Sequence, residues 1–298
     1  MKRLLFTGAS GFLGNNILPL LRETYEVDTV GLTERDDIRI DLAREVPKLD
    51  APYDIVLHAA GKAHVVPRTK EEEQAFYDVN DGGTVHLCDA LERVGAPKSL
   101  VFISTVAVYG CESGESIDEN HPLEGKTPYA DSKIRAEKYL TDWCGEHGVN
   151  LTVLRPSLLA GHHAPGNLGA MVEGIRKGFY VNIAGGKVRK SVLMAEDIAR
   201  LLPLVENRPG IYNVCDSYQP TFGELSVSVA RQLGKRKPLS IPYWFAWCMA
   251  KAGDILGSKA PINSYKLGKM TESLTFSNEK ARRELDWEPL DVLTNYRI

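Results

Sequence analysis

Apolar residues along this chain alternate between short continuous runs and longer stretches with helical spacing. Lys2–Phe6 is a short apolar run that ends near Gly8, and Gly11–Arg22 then repeats its apolar positions at helical intervals. Val27–Leu32 and Asp54–His58 read as a second and a third strand. Gln74–Val94 predicts one long helix, Ser99–Ser104 a fourth strand, Tyr129–Glu146 a helix and Asn150–Leu154 a fifth strand. Strands that alternate with helices build βαβ units and a parallel sheet. A continuous run such as Leu100–Ile103 suits a sheet covered on both faces. The expected class is therefore α/β, a doubly wound parallel sheet over residues 1–160. From about Pro156 the loops lengthen and Pro and Gly recur, as at Pro165-Gly166 and Gly185-Gly186. Residues 161–298 are expected to form mainly a smaller lobe over the carboxyl edge of the sheet, with later segments returning to the first domain.

Composition narrows the classes of partner. The 298 residues are 43% apolar and carry a net charge of −3. That balance gives no general attraction to nucleic acid or to an anionic membrane, and leaves a local basic patch as the route to a phosphorylated ligand. The amino-terminal run Leu4–Phe6 is too short for a signal-peptide core. No stretch approaches the roughly 18 apolar residues of a membrane span. Residues 239–250 come closest. Their expected form is a buried helix after Pro242, with a monotopic membrane contact as the alternative. Cys88, Cys111, Cys144, Cys215 and Cys248 share no metal-ligand spacing, and His162-His163 lacks acidic or Cys neighbours. A cytoplasmic chain with reduced thiols and no metal site is the expectation.

Two clusters carry chemistry. Thr7-Gly8-Ala9-Ser10-Gly11-Phe12-Leu13-Gly14 places three glycines in the spacing G-x-x-G-x-x-G between an expected strand and an expected helix. Glycine permits the tight turn and lets the backbone approach a pyrophosphate, which then sits on free N–H groups at the helix start. The second cluster is Tyr129-Ala130-Asp131-Ser132-Lys133. Residues four apart share one helical face, so phenol and ammonium point the same way. A Tyr with its ordinary pKa near 10 is a poor base at neutral pH, and a fixed Lys charge favours its phenolate. The Tyr can then exchange a proton with a substrate hydroxyl or carbonyl while hydride moves at the same carbon.

These motifs resemble the extended branch of the short-chain dehydrogenase/reductase superfamily, the NAD-dependent epimerase/dehydratase family, with a Rossmann-type fold. The resemblance covers nearly the whole chain. Asp41-Leu42 is similar to the pair whose carboxylate contacts adenine. His58-Ala59-Ala60-Gly61 is similar to a strand end that lines the cofactor, and Asn80 falls in a V-N-x-x-G-T helix. Ser104-Thr105-Val106-Ala107-Val108-Tyr109-Gly110 resembles the segment in which the position of Thr105 bonds the reacting oxygen, with Ser104 beside it. Arg155-Pro156-Ser157 resembles the strand exit that meets the nicotinamide amide. The resemblance makes Thr105, Tyr129 and Lys133 the catalytic residues, and adds a two-fold homodimer joined through the helices at 74–94 and 129–146. In the second half, Asn167, Arg189 and Lys190 fall where the branch approaches the diphosphate of a nucleotide sugar. Residues 277–289 resemble the family's closing motif, with Asp286 in place of the usual Gly.

The second strand bears on cofactor choice. NAD sites place an acid at its end, whereas Gly31 stands here. Arg35 or Arg39 then meets a 2′-phosphate, or Glu34 takes the ribose; the missing acid favours NADP(H). The resemblance also sorts reactions. A 4,6-dehydratase needs an Asp-Glu pair where Val106 and Ala107 stand, and a 3,5-epimerase/reductase needs a Cys at Ala107. Hydride transfer at one carbinol, C4 of a nucleotide sugar, remains, as a 4-epimerase or a 4-ketoreductase. The alternatives are a dinucleotide-binding regulator or structural subunit without turnover, which typically lacks the Tyr or Lys retained here, and a reductase of a non-nucleotide carbonyl.

Overall fold

The computed structural model of the protein describes residues 1–63, 65–256 and 263–298. The first half runs β1 (Lys2–Thr7), α1 (Phe12–Thr24), β2 (Tyr25–Gly31), β3 (Ile38–Arg39), β4 (Ile55–His58), α2 (Lys70–Tyr77), α3 (Gly83–Val94), β5 (Ser99–Ile103), β6 (Gly114–Ile117), α4 (Pro128–His147) and β7 (Asn150–Pro156). Then follow β8 (Leu158–Ala160), α5 (Gly166–Lys177), β9 (Val181–Ile183), β10 (Val192–Met194), α6 (Glu196–Val205), β11 (Gly210–Val214) and α7 (Phe222–Gln232). The chain continues with β12 (Leu239–Ile241), α8 (Tyr243–Leu256), α9 (Ser264–Thr271), β13 (Leu274–Phe276), α10 (Glu279–Leu285) and α11 (Val292–Asn295).

Seven strands form one sheet in the order β11-β7-β5-β4-β1-β2-β3, with every pairing parallel. Successive side chains of a strand point to opposite faces. Leu4 and Phe6 accordingly enter one core with Ile17, Leu21, Ile198 and Leu201, whereas Leu5 enters the other with Val56, Leu87, Leu140 and Trp143. A sheet with helices on both faces needs apolar residues at every position, which is why the strands read as unbroken apolar runs. A third core, including Met171, Ile175, Leu225, Val229 and Tyr296, holds the carboxyl-terminal lobe together.

The helix that carries Tyr129 has strong boundaries. Thr127 caps it by accepting a 3.2 Å bond from the Ala130 N–H, Pro128 opens the first turn, and Gly148 ends it in the left-handed conformation.

Two expectations need correction. The helix expected over Gln74–Val94 begins at Lys70 and is divided by a π turn at Asp78–Gly82. An amphipathic pattern does not register the one wide turn, which sets Asn80 inward among Lys62 and Ser132. Residues 239–250 do contain a helix after Pro242, but it is not buried. Tyr243, Trp244, Phe245, Trp247 and Met249 are exposed, while the small Ala246 and Ala250 face inward. No helix among the described residues is long and apolar enough to cross a membrane.

Candidate active site

The strand order reverses between β1 and β4, and doubly wound sheets bind ligands in the crevice outside such a switch point. A cleft of about 610 Å³ opens there. Its floor depends on the closeness of two strand ends. Gly8 has φ +81°, and a Cβ on it would stand 2.7 Å from the Ala60 nitrogen. Any other residue would force β1 and β4 apart. Beneath this contact, buried His58 bridges two hydroxyls. Thr84 gives its own proton to the Asn80 carbonyl at 2.6 Å, so it accepts from His58 Nε2 at 2.9 Å. His58 Nδ1 then accepts from Thr7 at 2.7 Å. Burial pushes His58 down to about 3, so the imidazole stays neutral.

The glycine turn leads into α1, whose first residue is preceded by Gly11. No side chain caps this end and no acid lies in its first turn. Its positive end, lined by Ser10, Gly11, Phe12 and Leu13, suits a diphosphate. Gly14 does not line the cleft. A Cβ there would stand 2.1 Å from the Ala9 carbonyl, so its part is to let the helix pack on the turn.

At the second strand the cleft is lined by Val30, Gly31, Leu32, Asp41 and Leu42. Arg35 is exposed and outside this lining. Glu34 is 89% exposed and pairs with Arg39 at 3.5 Å. The acid closest to the strand end is Asp36, which sequence reasoning passed over. It is buried, and its carboxylate accepts from the Thr33 N–H at 3.0 Å and the Thr33 hydroxyl at 2.8 Å. It fills the space that a side chain at Gly31 would need, and like Arg35 it lies outside the lining itself.

Thr105, Tyr129 and Lys133 converge on the same cleft. Thr105 follows β5, while Tyr129 and Lys133 stand one turn apart on α4. Burial raises the Tyr129 pKa, and a hydrogen bond with the Thr105 hydroxyl opposes that rise. Lys133 is buried and donates to the Ile103 carbonyl at 2.8 Å, with its ammonium 4.5 Å from the centre of the Phe102 ring. Burial brings it down to about 8, against the charge of Glu137. The Thr105 hydroxyl thus favours the phenolate of Tyr129, while Lys133 spends one of its N–H groups on a backbone carbonyl.

Below these residues lies a buried charged network. Arg155 holds Glu137 through two bonds, Nη2 to Oε2 at 2.6 Å and Nε to Oε1 at 3.1 Å, and donates to the Tyr109 hydroxyl at 3.0 Å. Tyr109 donates in turn to Asn213 at 2.7 Å, and Ser104 donates to Glu137. Ser104 is therefore tied to the protein as well as facing the cleft. Asn80 lies behind the lining; it donates to Ser132 at 2.8 Å and accepts from the Lys62 N–H at 2.7 Å, which steadies the wall at Gly61.

The lining also includes Ala59, Ala60, Gly61, Pro156 and Ser157. The Ser157 hydroxyl is buried and has no partner among the described residues. A buried polar atom without a partner costs about 1–3 kcal/mol, and a carboxamide would supply the missing bond. With the open helix end and the bare Gly31, the cleft thus fits a dinucleotide along its length. Of the residues expected to meet substrate, Thr105 lines the cleft, whereas Asn167, Arg189 and Lys190 do not. Asn167 is exposed at the start of α5, and Lys190 pairs by its backbone with Leu274. Arg189 donates to the Gln219 carbonyl and lies over the Tyr218 ring. Leu274 and Phe276 close the cleft instead. They arrive from far along the chain, on β13 beside β6, and no spacing in the sequence points to them.

Comparison with known proteins accords with this geometry. The model of the NAD dependent epimerase/dehydratase family matches residues 4–215. The chain is 26% identical over 297 residues to the N-acetyl-alpha-D-glucosaminyl-diphospho-ditrans,octacis-undecaprenol 4-epimerase of Escherichia coli O157:H7, covering 93% of this chain and 88% of that one. It is 24% identical to the UDP-glucose 4-epimerase of Vibrio cholerae, covering 98% and 92%. In fold it matches the UDP-glucose 4-epimerase of Thermotoga maritima, solved with UDP-glucose, at a TM-score of 0.73 with 20% identity, over 98% and 95% of the two chains. The glycine turn at the switch point, the convergence of Thr105, Tyr129 and Lys133, and the match across residues 4–215 together make this chain a member of the NAD-dependent epimerase/dehydratase family.

Proposed function

We propose that the protein epimerises C4 of a sugar carried on a diphosphate, with Tyr129 as acid and base. The observation that carries this reading is the meeting of Thr105, Tyr129 and Lys133 in one cleft whose neighbouring positions, Val106 and Ala107, hold no proton-transferring group. Tyr129 takes the proton of the C4 hydroxyl and later returns it, with Thr105 bonded to the same oxygen. Lys133 lies where it can hold a ribose hydroxyl, beside the bare backbone of Gly61. A dinucleotide held by the glycine turn and Lys133 would supply the acceptor and donor of the hydride. An acid–base pair at Val106 and Ala107 would be needed to expel water beyond the keto carbon, so dehydration does not fit.

The cofactor reading changes on the position of Asp36. The bare strand end at Gly31 favoured NADP(H) on sequence alone. A carboxylate in the space of the missing side chain favours NAD(H), since it repels a 2′-phosphate and can accept from ribose hydroxyls.

The carrier of the sugar is a nucleoside diphosphate or a polyprenyl diphosphate. Both present the same glycosyl diphosphate, and the relatives include one enzyme of each kind. A two-fold homodimer through α3 and α4 is part of the proposal, and a monomeric mass by light scattering at micromolar concentration would remove it.

The test is an absorbance scan of the purified protein followed by incubation with UDP-glucose and UDP-N-acetylglucosamine, read by NMR. Epimerisation predicts nicotinamide retained through purification and formation of the 4-epimer without net cofactor consumption. Stoichiometric oxidation of NADPH by a 4-keto sugar, with no epimer formed, would replace this reading with ketoreduction.

A further inference from the structure

Helix α8 has its side chains distributed against the usual preference. Ala246 and Ala250 are fully buried, and Gly253 is buried with them, against Ile183, Ile241 and Leu267. The large residues point the other way: Trp244 is 67% exposed and Trp247 47%. Tyr243, Phe245 and Met249 join them on the surface, with Ile255 at the far end. A helix that is apolar all round is ordinarily covered all round. Contiguous exposed apolar surface of this kind marks an interaction site.

The charge along the segment that leads into and through most of this helix is one-sided. Between Glu224 and Asp254 the sequence contains Arg231, Lys235, Arg236, Lys237 and Lys251, and no acid. Lys235, Arg236 and Lys237 are all exposed, and the first residue of α8 follows Lys237 by six positions, a reach of at most about 20 Å. Exposed Leu239 lies between them. β12 runs parallel to β9, so exposed Phe179 stands at the same end of this pair as Lys237. The one acid on α8, Asp254, is engaged by Ser264 at 2.6 Å and lies 3.7 Å from Lys251.

Tryptophan and tyrosine bury an apolar ring while keeping a polar edge wet, and they collect where a bilayer meets water. Lysine and arginine beside them are attracted by anionic headgroups. A protein partner would have to offer a large apolar groove bordered by acids, whereas an anionic bilayer offers both features at once. We propose that α8 and the preceding basic run dock the protein on the headgroup layer of an anionic membrane, lying in the interface without crossing it. The overall charge of −3 does not oppose this, because only the docking face comes within a screening length of the lipid. The placement of the helix gives the contact a use. α8 packs on α9, and the chain leaves α9 for Leu274 and Phe276, which wall the cleft. The docked helix is thus linked through α9 to the wall of a cleft that would take a glycosyl diphosphate, and a polyprenyl-linked one resides in the membrane. This use rests on the function proposed above; the docking itself does not.

The test exploits the distribution of tryptophan. Of the four, Trp143 and Trp287 are buried, so a change in emission on binding reports Trp244 and Trp247. The full-length protein is mixed with vesicles of phosphatidylethanolamine alone or with phosphatidylglycerol, without substrate, and binding is read by flotation and by Trp emission. The expected result is co-flotation and a blue shift with phosphatidylglycerol, weakened by high salt. The double variant Trp244→Ser/Trp247→Ser should lose at least tenfold in partitioning while turning over a soluble nucleotide sugar like the parent. The triple variant Lys235→Gln/Arg236→Gln/Lys237→Gln should keep the apolar face and lose the preference for phosphatidylglycerol. Two results overturn the proposal: absence of flotation and shift with either vesicle, or a blue shift without lipid that follows protein concentration and a doubling of mass, which would make a second copy the occupant. Because no turnover enters the binding measurement, its failure is distinct from failure of the proposed reaction.

Discussion

Asp36 stands in the place of a side chain that Gly31 lacks: a Cβ on Gly31 would lie 2.5 Å from Asp36 Oδ2 and 2.6 Å from Oδ1. The turn after β2 folds back so that an acid from five residues on reaches the strand end. Asp36→Ala removes this carboxylate without touching the strand. The expected outcome is a relative gain of about tenfold or more for NADP(H) over NAD(H), the size of one removed like-charge repulsion of roughly 1–2 kcal/mol. Fluorescence titration with both cofactors measures it. An unchanged ratio would show that Asp36 does not face the ribose. Gly31→Asp is a poor substitute for this experiment, since its side chain would collide with Asp36.

Tyr129→Phe should lower turnover by roughly 10²–10⁴-fold, the usual worth of a positioned proton donor, and leave cofactor affinity nearly intact. Thr105 provides a finer check. Its hydrogen bond holds the Tyr129 pKa below where burial alone would set it. Thr105→Val removes that bond, so the pKa rises. If Tyr129 is the base in the oxidative direction, as proposed, the rise of rate with pH should move to higher pH in the variant. A pH–rate profile that does not move would detach Thr105 from Tyr129.

How much of this was legible in the sequence depended on whether local spacing decided the matter. The βαβ order follows from apolar runs that must be buried on both sheet faces, and the glycine turn and the Tyr129–Lys133 pair each lie within a few residues. Asp36, Leu274 and Phe276 were invisible for a common reason. Leu274 and Phe276 reach the cleft through lobe packing and Asp36 reaches the end of β2 through chain reversal, and neither has a period. Arg189 has a charge suited to a diphosphate, yet the Gln219 carbonyl and the Tyr218 ring hold its guanidinium. In α8 nearly every residue is apolar, so periodicity could not tell which face would be covered.

Asp286 offers a stability test at the end of α10. It has φ +51°, the left-handed conformation in which a Cβ is crowded and which helix ends usually give to glycine. Asp286→Gly should stabilise the protein by about 0.5–1 kcal/mol, less than the full relief because glycine loosens the unfolded chain. Urea unfolding measures it as a higher midpoint at unchanged slope. A lower midpoint would mean that the Asp286 side chain contributes more than its backbone costs.

His58 makes acid stability testable. Its folded pKa is near 3, whereas the unfolded chain protonates it near 6.5. Between these values the unfolded state binds a proton that the folded state refuses, so stability falls as pH falls. The slope in the middle of this window approaches about 1.4 kcal/mol per pH unit, and above pH 6.5 the group contributes nothing. Asp197 acts in the opposite sense over part of the range. Burial raises it to about 6, so lowering the pH through 6 protonates the folded state first and relieves a cost. The two effects overlap between about 6 and 3.8, and the bare pH curve of the parent does not separate them. His58→Gln does. A glutamine can still bond Thr7 and Thr84, and it carries no titrating proton. The variant should therefore start less stable at neutral pH, having lost a fitted imidazole, and lose less on acidification, so that the two curves converge toward pH 4. Urea midpoints at four or five pH values measure this. Parallel curves would show that the buried imidazole is not the group whose charging destabilises the fold in acid.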